Sequence, residues 1–356
     1  MKKRSLATAR IVPQGFTLVE VMVAMVIGMI GLIVMMQVFS VAEGQRRTTT
    51  GSGDAQSNGA IALYALQRDI RQGGYGFNAL NAMGCPLTLP APASRTLTQL
   101  APVVINADVP AGDANSDTLL VTFGNNEGPP EGDVVTAVNG ELIAVSTAIN
   151  YSANQWVVAA PAAPLNGCAL AMAQVTAVAA PNIAIAASGA VDGGTLFNLG
   201  GNPRILAYAV RAGNLTVCNY LLADCGADCT AGDGTCSASW VPIANDIVSL
   251  RAEYGHASTA TSGVDSWNQT TPADANQAAL ACLWARTSAL RIAVVARNSQ
   301  VDRGQLTAAA PTWAGSGDDA APNIDLSARA NWQNYRYKVF ETVIPLRNLP
   351  WMSACT

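Results

Sequence analysis

The sequence predicts an α+β chain: one long amino-terminal helix, its first half fit to span a membrane, packed on an antiparallel β-sheet that carries loop-rich β insertions and disulfides. Three observations predict it. An apolar run extends from Phe16 to Phe39. From Asn78 onward the chain is made of short Val- and Thr-rich runs separated by turn residues. Eight cysteines lie outside the apolar run, at Cys85, Cys168, Cys218, Cys225, Cys229, Cys236, Cys282 and Cys355.

The apolar run comes first. At about 1.5 Å per residue its helix would reach roughly 36 Å, enough to cross a hydrocarbon core of about 30 Å. It is too long for the apolar part of a secretory signal, about 7 to 15 residues. Lys2, Lys3, Arg4 and Arg10 precede it, which places the amino terminus in the cytoplasm and exports the body. Within the run stands one carboxylate, Glu20. A charge at the centre of a membrane helix costs roughly 2.5 to 3.5 kcal/mol on insertion scales, so Glu20 is expected to have a partner and a task.

Gly15, Phe16, Thr17, Leu18, Val19 and Glu20, preceded by the short basic leader, closely resemble the processing site of type IV prepilins. The resemblance implies that an aspartyl prepilin peptidase cuts after Gly15 and that the new amino terminus, Phe16, is N-methylated, so the helix stays on the protein. It also implies a task for Glu20: its carboxylate would meet the terminal ammonium of a neighbouring subunit and set the axial register of a filament. Pairing at close range recovers much of the desolvation cost of a buried carboxylate.

Behind Phe39 the sequence turns polar, and apolar residues return at Leu63, Leu66 and Ile70, with Tyr64 beside them. Offsets of three and seven mark one helical face. "GGYGF" from Gly73 reads as the helix stop, and Thr48 to Gly53, with β-branched residues and two glycines, is expected to loosen or kink the helix. The expected division is thus a leader over 1–15, a membrane or filament-core helix over 16–39, an amphipathic continuation over 40–76 and an exported β-rich body over 77–356.

In the body, "TLLVTFG" at Thr118, "GDVVTAV" at Gly132 and "AQVTAVAA" at Ala173 read as strands. "ILAYAV", "RAGN" and "LTVCNY" read as a hairpin, with Gly213 and Asn214 able to take positive backbone angles. "AALACLWAR" from Ala278 reads as a short helix. "DIVSLRAEYG" from Asp246, "LRIAVVAR" from Leu290 and "YRYKVFETVI" from Tyr335 are expected to form the sheet that covers the long helix. This order, with "RQGGYG" before it and "ETVIPLRN" closing it, resembles the PilW group of minor pilins and implies a pilin-like fold. The likeness is absent from Leu80 to about Asn202, a stretch expected to form β insertions and loops displayed at a filament surface.

The eight cysteines, in an exported domain, are expected to form disulfides. A bridge from Cys218 to Cys236 would close about 17 residues and contribute about 3 kcal/mol on the chain-entropy model. A tetrathiolate zinc site from Cys218, Cys225, Cys229 and Cys236 lacks the paired C-x-x-C spacing. Asp224, Asp228 and Asp233 do not follow the alternation of a calcium loop and read as solvated carboxylates. The single histidine, His256, has no motif partners for a hydrolytic triad. Tyr64, Trp240, Trp284 and Trp332 show no repeat spacing and are expected to pack in the core. No metal, cofactor or enzymatic activity is expected. Only 12% of residues are charged; beyond the leader, 16 of the 20 basic residues remain against 24 acidic ones, net −8, which repels polyanions and argues against nucleic acid.

The resemblance implies a minor pilin in a tip or initiation complex that primes pilus assembly and supports adhesion and twitching motility. Its implied partners are other minor pilins, the major pilin, the prepilin peptidase, the inner membrane and a pilus-tip adhesin. The implied location is the inner membrane before assembly and the pilus surface afterwards. Two alternatives stand beside it: a minor pseudopilin of a type II secretion system, and an adhesin module that binds a surface ligand through residues 80–202.

Overall fold

The computed structural model describes residues 15–125, 128–186, 190–226, 239–259, 262–302, 304–316, 323–350 and 355. The basic leader up to residue 14, with Cys229, Cys236, Asp228 and Asp233, lies outside the described residues. Helix α1 runs Leu18–Ile70. The chain divides into two compact units, Met1–Gly51 and Ser52–Thr356. Thr48 to Gly53, where loosening or a kink was expected, are α-helical. Thr48 and Thr49 turn their hydroxyls back onto the carbonyls of Gly44 and Gln45, both at 3.0 Å, the local bonding open to threonine inside a helix.

In the second unit, Ala55, Gly59, Ala62, Leu66 and Ile70 recur at three- and four-residue steps and are buried, the period of one helical face. Gly59 is required by close approach: a Cβ there would penetrate the Phe340 ring. Tyr64 departs from expectation. It lies on the opposite face and is 67% exposed, because its register places it two residues from both Ala62 and Leu66.

Strands β1 (Leu87–Thr88) and β2 (Thr96–Leu97) form a small flap. Next come β3 (Val103–Ile105) and β4 (Leu119–Phe123). The stretch expected to hold loops and insertions then builds six strands: β5 (Asp133–Asn139), β6 (Leu142–Val145), β7 (Trp156–Ala160), β8 (Leu170–Ala179), β9 (Asn182–Ile185) and β10 (Thr195–Gly200). Their antiparallel pairings run β5–β6–β9–β8–β7–β10 and return to β5, a closed ring. The ring has its own core, including Val135, Ile143, Tyr151, Val157, Val175, Ile183 and Leu196. Closure leaves no ring edge unpaired.

Chain order then returns to the first sheet with β11 (Arg204–Arg211), β12 (Asn214–Asn219) and β13 (Val241–Ala244), giving the order β13-β12-β11-β4-β3. Phe123 at the end of β4 faces Arg204 at the start of β11, so the ring is an insertion between two hairpin partners. It is fused to the body all the same. In β7, Val157 and Ala159 face the ring core while Val158 and Ala160 face the main core; β8 and β10 divide likewise, with Val175 against Met172 and Leu196 against Phe197. That is why "WVVAA" reads as an unbroken apolar run, whereas β5 and β6, with one face in water, alternate.

The last sheet holds β14 (Ile247–His256), β15 (Ser266–Asn268), β16 (Thr287–Arg297) and β17 (Tyr337–Pro345), in the order β15-β14-β16-β17, with α2 (Gln277–Ala285) leading into β16. One face, with Leu250, Tyr254, Leu290 and Ile292, joins the core that contains Leu66 and Ile70. The other, with Val248, Ala293 and Val295, is covered by Trp313, Ile324 and Leu326. The β13-β12-β11-β4-β3 sheet is bound to this one through a buried pair beside β4: Arg251 donates to Asp117 at 3.2 Å, and Asp117 also accepts from the Ala252 N–H at 3.0 Å and from Gln269 at 2.7 Å.

Three disulfides link described residues: Cys85–Cys168, Cys218–Cys225 and Cys282–Cys355. The bridge considered from Cys218 to Cys236 is therefore replaced by one spanning only 7 residues, worth about 2 kcal/mol on the same entropic model. It also removes two thiolates from any zinc site built on that cluster. Cys282–Cys355 spans 73 residues and is worth about 4 kcal/mol.

The β11–β12 hairpin pairs Arg211 with Asn214, so its two-residue loop is Ala212-Gly213, at φ 48° and 74°. Asn214, expected in the turn, belongs to the strand. The Asp113 carboxylate accepts from both loop N–H groups, at 2.9 and 2.8 Å, and so holds an alanine in a conformation that costs an L-residue about 1–2 kcal/mol. Ala212→Asn, which makes the preferred Asn-Gly loop, is expected to stabilise the chain by about 1 kcal/mol, read as a higher urea midpoint with an unchanged slope.

Candidate assembly site

In the first unit Gly15 and Phe16 are exposed, Phe16 at 84%. Helix α1 begins at once. Thr17 stands at the N-cap and Glu20 three residues on: the Glu20 N–H points to the Thr17 hydroxyl at 3.4 Å, and the Thr17 N–H and hydroxyl point to the Glu20 carboxylate, both at 3.5 Å. The contacts are long, but their reciprocity is that of a capping box, which satisfies helix-start donors that lack intrahelical partners. The T-x-x-E spacing was visible in the sequence, and Thr17 is the residue that reading the charge alone passed over. In the separate subunit Glu20 thus has a local partner within its own first turn.

Beyond it, every large apolar side chain from Phe16 to Val41 is exposed. A helix apolar on all sides is the pattern of a membrane span or of a helix enclosed by others. Charge returns at Glu43 and Arg47, joined at 3.2 Å one turn apart.

In the second unit the end of α1 carries a buried carboxylate. Arg68 donates to Asp69 at 2.7 and 3.1 Å, and the Tyr208 hydroxyl donates to the same carboxylate from β11. Asp69 is thereby paired and hydrogen-bonded, as a buried charge must be. The pairing also raises the Arg68 pKa, and burial followed by the Asp69 charge pushes the Tyr208 hydroxyl well up. Arg68 and Asp69 were legible only as polar helix residues, since nothing local says that Tyr208 comes to meet them.

Of the other residues singled out, Trp240 and Trp284 are buried and Trp332 is half-buried. Asp224 accepts from the Gly226 N–H at 2.9 Å and turns its own loop. His256 lies between Asn268 and Thr287, both at 3.3 Å, with its pKa lowered by burial. These groups do not converge. Among the described residues no cluster of His, Cys, Asp and Glu could hold a metal ion.

Burial raises Tyr220 and Tyr337 to about 12, and Tyr208 further still, against about 10 in the unfolded chain. A raised folded value means that stability is fully present below pH 10 and is lost as pH rises towards the folded value, because only the unfolded chain gives up its proton there. Between pH 10 and 12 the buried Tyr208 is expected to lower the unfolding free energy by up to about 1.4 kcal/mol per pH unit. Denaturation of the detergent-solubilised chain across that range, with Tyr208→Phe showing a shallower fall, checks it.

Residues 221–348 match the family model described as Type IV Pilus-assembly protein W, and residues 13–36 match the prokaryotic N-terminal methylation motif. Among solved structures, a type IV-like pilin from Thermus thermophilus is similar at 11% identity, with 83% of this chain and 97% of that chain covered and a TM-score of 0.32. No curated protein matches the sequence. The family matches imply a structural protein that is anchored in a membrane, is processed by a prepilin peptidase and associates with other pilus components. The chain thus carries a prokaryotic N-terminal methylation motif around Phe16 and, over residues 221–348, a region that matches the Type IV Pilus-assembly protein W model.

Proposed function

We propose that the chain enters the inner membrane with its leader in the cytoplasm, is cut after Gly15 and methylated at Phe16, and then joins a tip or initiation complex with other minor pilins. There it primes assembly of the major pilin and supports adhesion and twitching motility. The observation that carries this reading is the methylation motif set on a helix whose apolar side chains are exposed from Phe16 to Val41. Burying that surface among neighbouring helices releases roughly 25 cal/mol per Å² relative to water; inside a bilayer, where that gain is absent, packing and polar pairing drive association.

Glu20 acts at this step. In the bilayer the carboxylate rests on its own capping box; in the bundle it exchanges Thr17 for the methylated ammonium of the next subunit. The ammonium is the stronger partner, since it brings opposite charge as well as a donor, and its fixed position sets register.

The closed ring over residues 133–200 supports the adhesin reading as an addition, because nothing in pilin assembly calls for it. Deleting the ring to test this would strip the main core of Val158, Met172 and Phe197, so exposed point variants on the ring are the right probe.

Mass spectrometry of the amino-terminal peptide in sheared filaments and in washed inner membranes tests the proposal. A peptide beginning at N-methylated Phe16 is expected in the filaments. Confinement of that peptide to membranes would favour a secretion pseudopilin or a basal complex, and an uncut Met1 terminus would overturn the reading. Glu20→Gln is expected to be processed normally yet to fall about tenfold in the filament fraction, a loss of about 1.4 kcal/mol in assembly.

A further inference from the structure

Where the ring meets the body, a cleft of about 440 Å³ opens between Asn125, Ile149, Asn150, Ser152, Gln155, Gly200 and Gly201. It lies outside both stretches matched by family models, and none of its side chains among the described residues is charged. Its size falls in the range of about 300–1,000 Å³ typical of small-ligand sites.

The walls are braced from behind. Asn198, only 2% exposed, donates to the Asn150 carbonyl at 2.7 Å and to Gln155 Oε1 at 2.8 Å, and accepts from the Gly200 N–H at 2.9 Å. Gln155 Oε1 also accepts from the Ser152 N–H at 2.8 Å, and Asn125 Oδ1 accepts from the Asn202 N–H at 2.9 Å. One buried amide thus joins three segments of chain. Gly200, at φ +85°, leaves no room for a Cβ beside Asn125.

At the mouth stands Ile149, 89% exposed. It is not a loose end, for its 3-10 turn, Ala148–Asn150, is pinned on both sides. Ala148 and Tyr151 are buried in the ring core, and the Tyr151 hydroxyl donates to the Leu196 carbonyl at 2.9 Å. Among the described residues the Asn150 amide, the Ser152 hydroxyl and the Gln155 Nε2 make no hydrogen bond to protein. A held aliphatic side chain therefore sits beside a row of neutral donors and acceptors with capacity to spare.

We propose that this cleft is a binding site for a neutral saccharide. A sugar ring offers an apolar C–H face to Ile149 and a rim of hydroxyls that both donate and accept, which matches amides and a serine hydroxyl. An acidic ligand finds no cation in this lining, and a cationic one finds no carboxylate. The inference does not depend on the place of the chain in a pilus.

The test uses the full chain in a detergent without a sugar headgroup, titrated with neutral hexose and N-acetylhexosamine oligosaccharides, and with sialylated and sulfated ones in parallel. Saturable binding of a neutral oligosaccharide is expected, weakened about tenfold or more by Ile149→Ser and by Asn150→Ala. Neither side chain braces the cleft, so both variants should keep the parent's melting temperature. Leu165→Ser, at another exposed site on the ring, should leave binding unchanged. The proposal is overturned if no neutral oligosaccharide binds, if only the acidic ones do, or if Leu165→Ser weakens binding as much as the cleft variants.

Discussion

A strand that is apolar on both faces needs a packing layer on each side, and the unit beginning at Ser52 is built around that requirement. β7, β8 and β10 each stand between two cores, and β14 and β16 do the same in the last sheet. Such strands cannot move without opening two interiors at once, each packed at a density that leaves little slack. The ring is therefore fixed to the body although it enters as an insertion between hairpin partners, and Cys85–Cys168 adds a covalent tie across the same junction. The polar groups inside follow the same economy. Asp117 with Arg251, Glu253 with Arg291, and Asp69 with Arg68 and Tyr208 are among the charges of the interior, and each of these carboxylates is paired.

The helix from Phe16 to Val41 poses the opposite problem. Its apolar surface has no covering layer in its own unit, and a surface of that kind is stable only in lipid or against other helices. The methylation motif lies on this same segment. The Thr17–Glu20 capping box gives the one carboxylate of this segment a partner within its own helix start.

Much of the architecture was legible in the sequence because its signals are local. Length and apolarity marked the helix, Gly73 and Gly74 its end, and Val- and Thr-rich runs marked β4, β5, β8, β11, β12, β14, β16 and β17. What went astray went astray for physical reasons. Tyr64 was grouped with Leu63 and Leu66 by proximity, but the helical period turns it outward. The hairpin loop was placed one residue late because alanine at positive φ has no signature of its own, and Asp113, which holds it there, is a hundred positions away. The ring escaped notice because its six strands share no single period: β5, β6 and β9 alternate with water, β7 is continuously apolar, and β8 and β10 mix apolar with polar residues.

The sequence by itself determined the features that depend on neighbours along the chain: the membrane-length helix, the processing motif with its glutamate three residues from a capping threonine, and the strand-forming runs. Tertiary structure alone decided which cysteines pair, that β10 closes on β5, that Tyr208 meets Asp69, and that Asn198 braces a neutral cleft beneath Ile149. Local features follow from backbone geometry and residue type within a few positions. Apart from the short Cys218–Cys225 link, the others rest on contacts between residues tens to more than a hundred positions apart, whose partners are selected only when the cores that hold them have formed.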